Sequence, residues 1–106
     1  MSKVFYPETY CYIPAGYPHS KSRTRYFIAV GEEDWSDGKH TVVKIQMMYY
    51  DASKHKWFRS GRRAPSFPIE QESAGSNDWN KVQICVNLVL EEYRKNNYGE
   101  IKISIN

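Results

Sequence analysis

The chain has 106 residues, the size of one ordinary domain, and its 41% apolar content supplies one small core. A quarter of the residues are charged and the net charge is only +3, which excludes a disordered tail and a membrane-embedded chain. The uncharged run Val82 to Leu90 is far shorter than the ~20 apolar residues a membrane crossing needs, and Met1 to Pro7 lacks the apolar run of a secretory signal. These features predict a single soluble, cytoplasmic domain with no membrane partner.

Aromatic residues stand out at 15%, with nine Tyr, three Trp and four Phe. Cys11 and Cys85 lie far apart and match neither a zinc pattern nor a redox CxxC. A long-range disulfide is formally open to them, but a reducing compartment favours two free, buried thiols. The cations are segregated. Between Glu8 and Glu32 there is no acid, only Lys21, Arg23 and Arg25. Between Asp51 and Glu70 there is again none, against Lys54, Lys56, Arg59, Arg62 and Arg63. Segregation of this kind predicts a positive face on a nearly neutral protein.

In chain order, Pro7, Pro14 and Pro18 punctuate the start, and Thr9 to Ile13 has strand composition that the prolines confine to a sheet edge. Thr24 to Val30 predicts a strand, and Gly31 to Gly38 an acidic connection ending in the turn signal Ser36-Asp37-Gly38. Residues Thr41 to Tyr50 alternate, with Val43, Ile45, Met47 and Tyr49 on one face and Val42, Lys44, Gln46, Met48 and Tyr50 on the other. That pattern predicts a half-exposed antiparallel strand. Asp51 to Lys54 supplies turn residues, and Lys56 to Arg59 returns as the partner strand of a hairpin. The piece Ser66 to Ile69 follows, kept irregular or at an edge by its prolines.

A helix is predicted from Asp78 to about Asn96. Ser76, Asn77 and Asp78 are suitable caps, and Trp79, Val82, Val86, Val89 and Tyr93 step by helical spacing. Val82, Ile84, Val86, Leu88 and Leu90 also alternate as a strand would, but the segment's length and both its ends favour the helix. Ile84 and Leu88 then form a second apolar strip, and a helix so apolar around its girth wants burial on more than one side, which a homodimer supplies. Glu100 to Ile105 alternates and predicts a final strand. The expected fold class is α+β, mostly antiparallel sheet with one long helix packed on it.

The sequence carries no nucleophile elbow, P-loop, Rossmann glycine fingerprint or HExxH, and His19, His40 and His55 are scattered in polar segments. The expectation is a non-enzymatic protein with no catalytic residue, no metal site and no cofactor. A deep polar pocket holding His40 or His55 beside a carboxylate would speak for an enzyme instead. The window Lys54 to Arg63 interleaves cations with Trp57 and Phe58, just after Tyr49 and Tyr50. Single-stranded nucleic acid is held by this combination, cations following phosphates and rings stacking on bases at roughly 1–3 kcal/mol each. On a strand Lys56 and Phe58 project to one face, Trp57 and Arg59 to the other. The plainer alternative makes Trp57 and Phe58 core or hairpin-pair residues, with cations that merely solubilise an edge. If Thr24 to Val30 joins the hairpin's sheet, Arg23 and Arg25 merge with the second basic window.

The middle of the chain resembles the positive-cofactor-four-like family of single-stranded-DNA-binding transcriptional coactivators. The resemblance rests on Val43 to Tyr50, Asp51 to Trp57, Arg59-Ser60-Gly61-Arg62-Arg63, Ser66-Phe67-Pro68-Ile69 and Asp78-Trp79, a pattern of residue types over about half the chain. The chain departs from it in its prolines, in the long connection Glu70 to Asn77, in residues 97–106 and in its Pro-rich start. The resemblance implies a strongly bent antiparallel sheet followed by a helix that carries the dimer contact. It also implies phosphate contacts from Lys44, Lys56, Arg59, Arg62 and Arg63, with Trp57 or Tyr50 stacking on bases.

The expected activity is therefore non-enzymatic binding of single-stranded DNA or RNA, in the manner of a transcription regulator. The expected site is Arg23, Arg25, Lys44, Tyr50, Lys54, Lys56, Trp57, Arg59, Arg62 and Arg63, with Ile84 and Leu88 at a homodimer contact. The competing expectation is a protein-interaction module that adds a strand at Tyr10 to Tyr12 or Ile101 to Ile105.

Overall fold

A computed structural model describes residues 4–16, 23–60, 65–67 and 78–102. Five strands and one helix follow in the order β1 (Phe5–Pro14), β2 (Thr24–Trp35), β3 (Gly38–Asp51), β4 (Lys56–Arg59), α1 (Asp78–Arg94) and β5 (Gly99–Glu100). They form one sheet in the spatial order β4-β3-β2-β1-β5, with α1 packed on one face. The fold is α+β and mostly antiparallel, and only β5 runs parallel to its neighbour β1.

Strand β2 lies at the centre, and Tyr26 to Val30 are buried without a break, because both faces of this strand are covered. Tyr26, Ile28 and Val30 meet Cys11 and Ile13 of β1, Met47 of β3 and Val82, Cys85 and Val89 of the helix. Phe27 and Ala29 point the other way, into a second cluster with Met48 that Phe5, Tyr10, Tyr12 and Trp57 cover. The helix-free face thus has a small core of its own, roofed by rings. Cys11 and Cys85 are free thiols facing each other across the main core. A hydrogen bond to Cys85 and burial push the Cys11 thiol well above its ordinary value.

One expectation needs correction. The acidic segment Glu32 to Asp34 is strand, not connection. Glu32 lies opposite Thr41, Glu33 opposite His40 and Asp34 opposite Lys39, so the partner strand answers the acids that locally look like a loop. The hairpin closes only at Ser36-Asp37, where Gly38 adopts a φ of 127°. Strand β3 is half-exposed, as its alternation predicts: Met47 on the helix side and Met48 on the other are buried, while Val43 and Tyr49 are 43% and 47% exposed.

The helix ends in a left-handed Asn96 (φ 62°), with Asn97 N donating to Glu92 O and Asn96 N to Tyr93 O, the paired bonds of a Schellman cap. The turn aims the chain back at β1. Thr9 Oγ1 donates to Asn97 O and Ile101 N to Tyr10 O, which lays β5 along β1. Of the predicted last strand, Glu100 is in the sheet, and residues 103–105 lie outside those described.

Asp78 ties the helix start to the sheet. Its carboxylate accepts from Gly16 N at 2.9 Å and from the Tyr26 hydroxyl, and burial together with that bond pushes the Tyr26 pKa up. Asp78→Ala removes the carboxylate that accepts from Tyr26 and Gly16, and with it a negative charge at the helix start. The expected cost is about 1–3 kcal/mol, read as a lower urea midpoint at unchanged m-value.

Candidate functional site

Strand alternation decides which cations meet. Opposite Met48 stand Arg25 on one side and Arg59 on the other, and opposite Tyr50 stands Trp57. Together with Arg23 just before β2, these residues lie on the helix-free face. The Arg23 guanidinium sits 4.0 Å over the Tyr50 ring and 6.0 Å from Trp57. Arg25 lies between two rings, 3.8 Å from Tyr12 and 4.0 Å from Trp57, and Arg59 lies 5.2 Å over Phe27. Beneath them, Tyr12 and Tyr10 each pack 5.4 Å from Phe27, and Tyr50 meets Trp57 edge-on at 5.4 Å. Arg23 and Arg25 of the first acid-free window and Arg59 of the second therefore meet, through β3, in one layer of rings.

Stacking engages the flat face of a guanidinium and leaves its in-plane N–H groups for acceptors. Among the described residues none of Arg23, Arg25 and Arg59 pairs with a carboxylate. Arg25 Nε and Gln46 Oε1, both on this face, are buried with no hydrogen-bond partner among the described residues. Burial lowers the Arg25 pKa, with Tyr12 and Glu100 opposing the shift. Tyr12, Pro14, Arg23, Thr24, Arg25, Trp57 and Glu100 line a cavity of about 450 Å³ at this end of the face.

Other predicted site residues fall elsewhere. Lys54 and Lys56 are on the far side of the hairpin, their ammonium groups 5.5 and 5.2 Å over the Phe58 ring. Phe58 is 38% exposed there, so Trp57 and Phe58 serve opposite faces. Lys44 is on the helix-free face, but its ammonium lies 2.6 Å from the Glu33 carboxylate, which also accepts from Trp35 Nε1. Glu33 is only 5% exposed, so Lys44 neutralises a buried acid before it can serve a phosphate. Lys44→Gln should cost about 1–2 kcal/mol in a urea melt, less than the ~3–5 of a fully buried pair because the Lys44 side chain is 33% exposed. Oligonucleotide affinity should stay within about twofold of wild type, since no free cation is lost. Arg62 and Arg63 lie outside the described residues.

Trp57 also fulfils the plainer expectation, since it is the cross-strand partner of Tyr50 and half-covers the second cluster. Sequence reasoning missed Tyr12 and Glu100. Tyr10 and Tyr12 had a signal, their alternation in β1, but it read as an edge for strand addition. That edge is taken by β5 at Thr9 and Tyr10. His40 pairs with Asp37 at 2.7 Å in the exposed β2–β3 turn, not in a deep pocket. Among the described residues no group of three His, Cys, Asp or Glu side chains could hold a metal ion, and no helix is long and apolar enough to cross a membrane.

Comparison of the chain with protein-family models, with curated proteins and with solved structures finds no match.

Proposed function

We propose that the helix-free face binds single-stranded nucleic acid. The observation that carries this reading is Arg25 between the rings of Tyr12 and Trp57, with Arg23 stacked on Tyr50 beside it. The ring surface that the arginines leave uncovered offers stacking to unpaired bases, and the N–H edges of the guanidinium groups offer donors to phosphates. A duplex keeps its bases stacked on each other and has no use for such a platform. The resemblance to the positive-cofactor-four-like family belongs to this proposal; of the residues that carry it, Val43 to Tyr50 lie in β3, Trp57 in β4 and Asp78-Trp79 at the start of α1.

The test is fluorescence anisotropy of a labelled oligothymidylate titrated at several salt concentrations. Three arginines with no carboxylate partner among the described residues predict a slope of log affinity against log salt of about −2, at ~0.7 per neutralised phosphate on a single strand. Absence of binding at low salt removes the reading.

The opposite side of the molecule supports the homodimer part of the proposal. Ile84 and Leu88 are 50% and 36% exposed, one turn apart on α1. On the other flank of the helix, Val43, Ile45, Trp79, Val82, Gln83, Val86 and Asn87 line a groove of about 320 Å³ that neither of them reaches. The helix packs on β1 and β2, leaving the outer part of β3 uncovered on this side. Ile84→Asp should convert a dimer to a monomer in light scattering without loss of helix content. A wild-type monomer at high micromolar concentration would contradict it.

A further inference from the structure

The cavity at the end of the ring layer holds one feature that phosphate binding does not call for, a carboxylate. Glu100 is placed there by the pairing of β5 with β1, opposite Tyr10 and therefore on the helix-free face. Its described partner is Lys102 at 3.1 Å, whose side chain is 88% exposed, a contact worth little in water. An acid among arginines weakens attraction for a polyanion, so its presence needs a compensating use.

We infer that this cavity receives one unpaired guanine base of the strand, read by Glu100. The inference rests on the nucleic-acid reading of the face. An ionised carboxylate only accepts, through two oxygens side by side. Guanine is the base that presents two adjacent donors on its Watson–Crick edge, N1–H and the N2 amino group. Adenine and cytosine set a ring acceptor beside their amino group, and thymine and uracil flank N3–H with carbonyl oxygens. Those acceptors would face the carboxylate and repel it. Guanine's other edge carries the acceptors O6 and N7, which suit arginine donors. Arg23 and Arg25 line the same cavity. Trp57 and Tyr12 line it too, with the Arg25 guanidinium held between them, so the base would stack on ring surface that Arg25 leaves uncovered. At about 450 Å³ the cavity falls within the ~300–1,000 Å³ of small-ligand sites.

The experiment compares short labelled oligothymidylates whose central residue is thymine, adenine, cytosine or guanine. The guanine oligonucleotide should bind about tenfold more tightly than the other three, the size of one good bidentate contact. Glu100→Gln should bind the all-thymine strand at least as well as wild type and lose the guanine preference. Equal wild-type affinity for all four overturns the inference and leaves the nucleic-acid face standing. A full guanine preference retained in Glu100→Gln overturns it as well. Displacement of the oligonucleotide by equimolar guanosine 5′-monophosphate overturns it too, because the site would then serve a free nucleotide. Failure of all four to bind at low salt overturns the face reading together with it.

Discussion

Arg25→Ala will weaken oligothymidylate binding by about tenfold or more and flatten the salt slope by ~0.7. The guanidinium is held 3.8 Å from Tyr12 and 4.0 Å from Trp57, so its removal takes away a phosphate donor and opens the platform between the two rings. Arg25→Lys separates the two effects. The charge stays and so should the salt slope, but a compact ammonium cannot lie flat between rings, and affinity should still fall several-fold. Anisotropy titrations of both variants against salt read the two quantities independently. A lysine variant that binds like wild type would mean that Arg25 acts by charge alone and that the sandwich is incidental.

Gly31→Ala carries the largest expected cost to the fold, about 3 kcal/mol or more. A Cβ on Gly31 would stand 2.1 Å from the Tyr6 carbonyl oxygen and 2.8 Å from Pro7 Cα, both backbone atoms of the facing strand. No side-chain rotation relieves that clash, so β1 must move. The close approach belongs to an irregularity in the pairing, where Pro7 faces Gly31 and Thr9 faces Val30. The shift there lets Thr9, Cys11 and Ile13 turn toward the helix and Tyr10 and Tyr12 toward the ring layer. Displacing it therefore disturbs both faces at once. Thermal melting should fall by more than ~10 °C, given ~4–8 °C per kcal/mol for a domain of this size. A melting point within a few degrees of wild type would show that the strand has room to yield.

How far the fold could be read in advance depended on whether its signals were local. The helix from Asp78, the hairpin at Asp51 and the alternation of β3 are short-range patterns, and periodicity with turn chemistry exposes them. The reach of β2 through Glu32 to Trp35 was hidden, because what makes acids acceptable in a strand is the basic partner opposite, and register is not a local property. The site divided the same way. Arg23, Arg25, Tyr50, Trp57 and Arg59 were legible as an alternating cationic and aromatic set. That Lys56 and Lys54 join Phe58 on the other side follows only once the helix has chosen its face. Lys44 looked available because its partner Glu33 comes from another strand. Glu100 reaches the cavity through a parallel pairing that the helix cap sets up, and nothing near it in the chain announces that.

The most direct test of the nucleic-acid face is a chemical-shift map. Amide and side-chain resonances are recorded while an oligothymidylate is added at low salt. The predicted shifts fall on Tyr12, Arg23, Arg25, Tyr50, Trp57 and Arg59, with Lys54, Lys56, Ile84 and Leu88 unmoved. Shifts gathered on the helix side, or none anywhere at saturating oligonucleotide, would contradict the account.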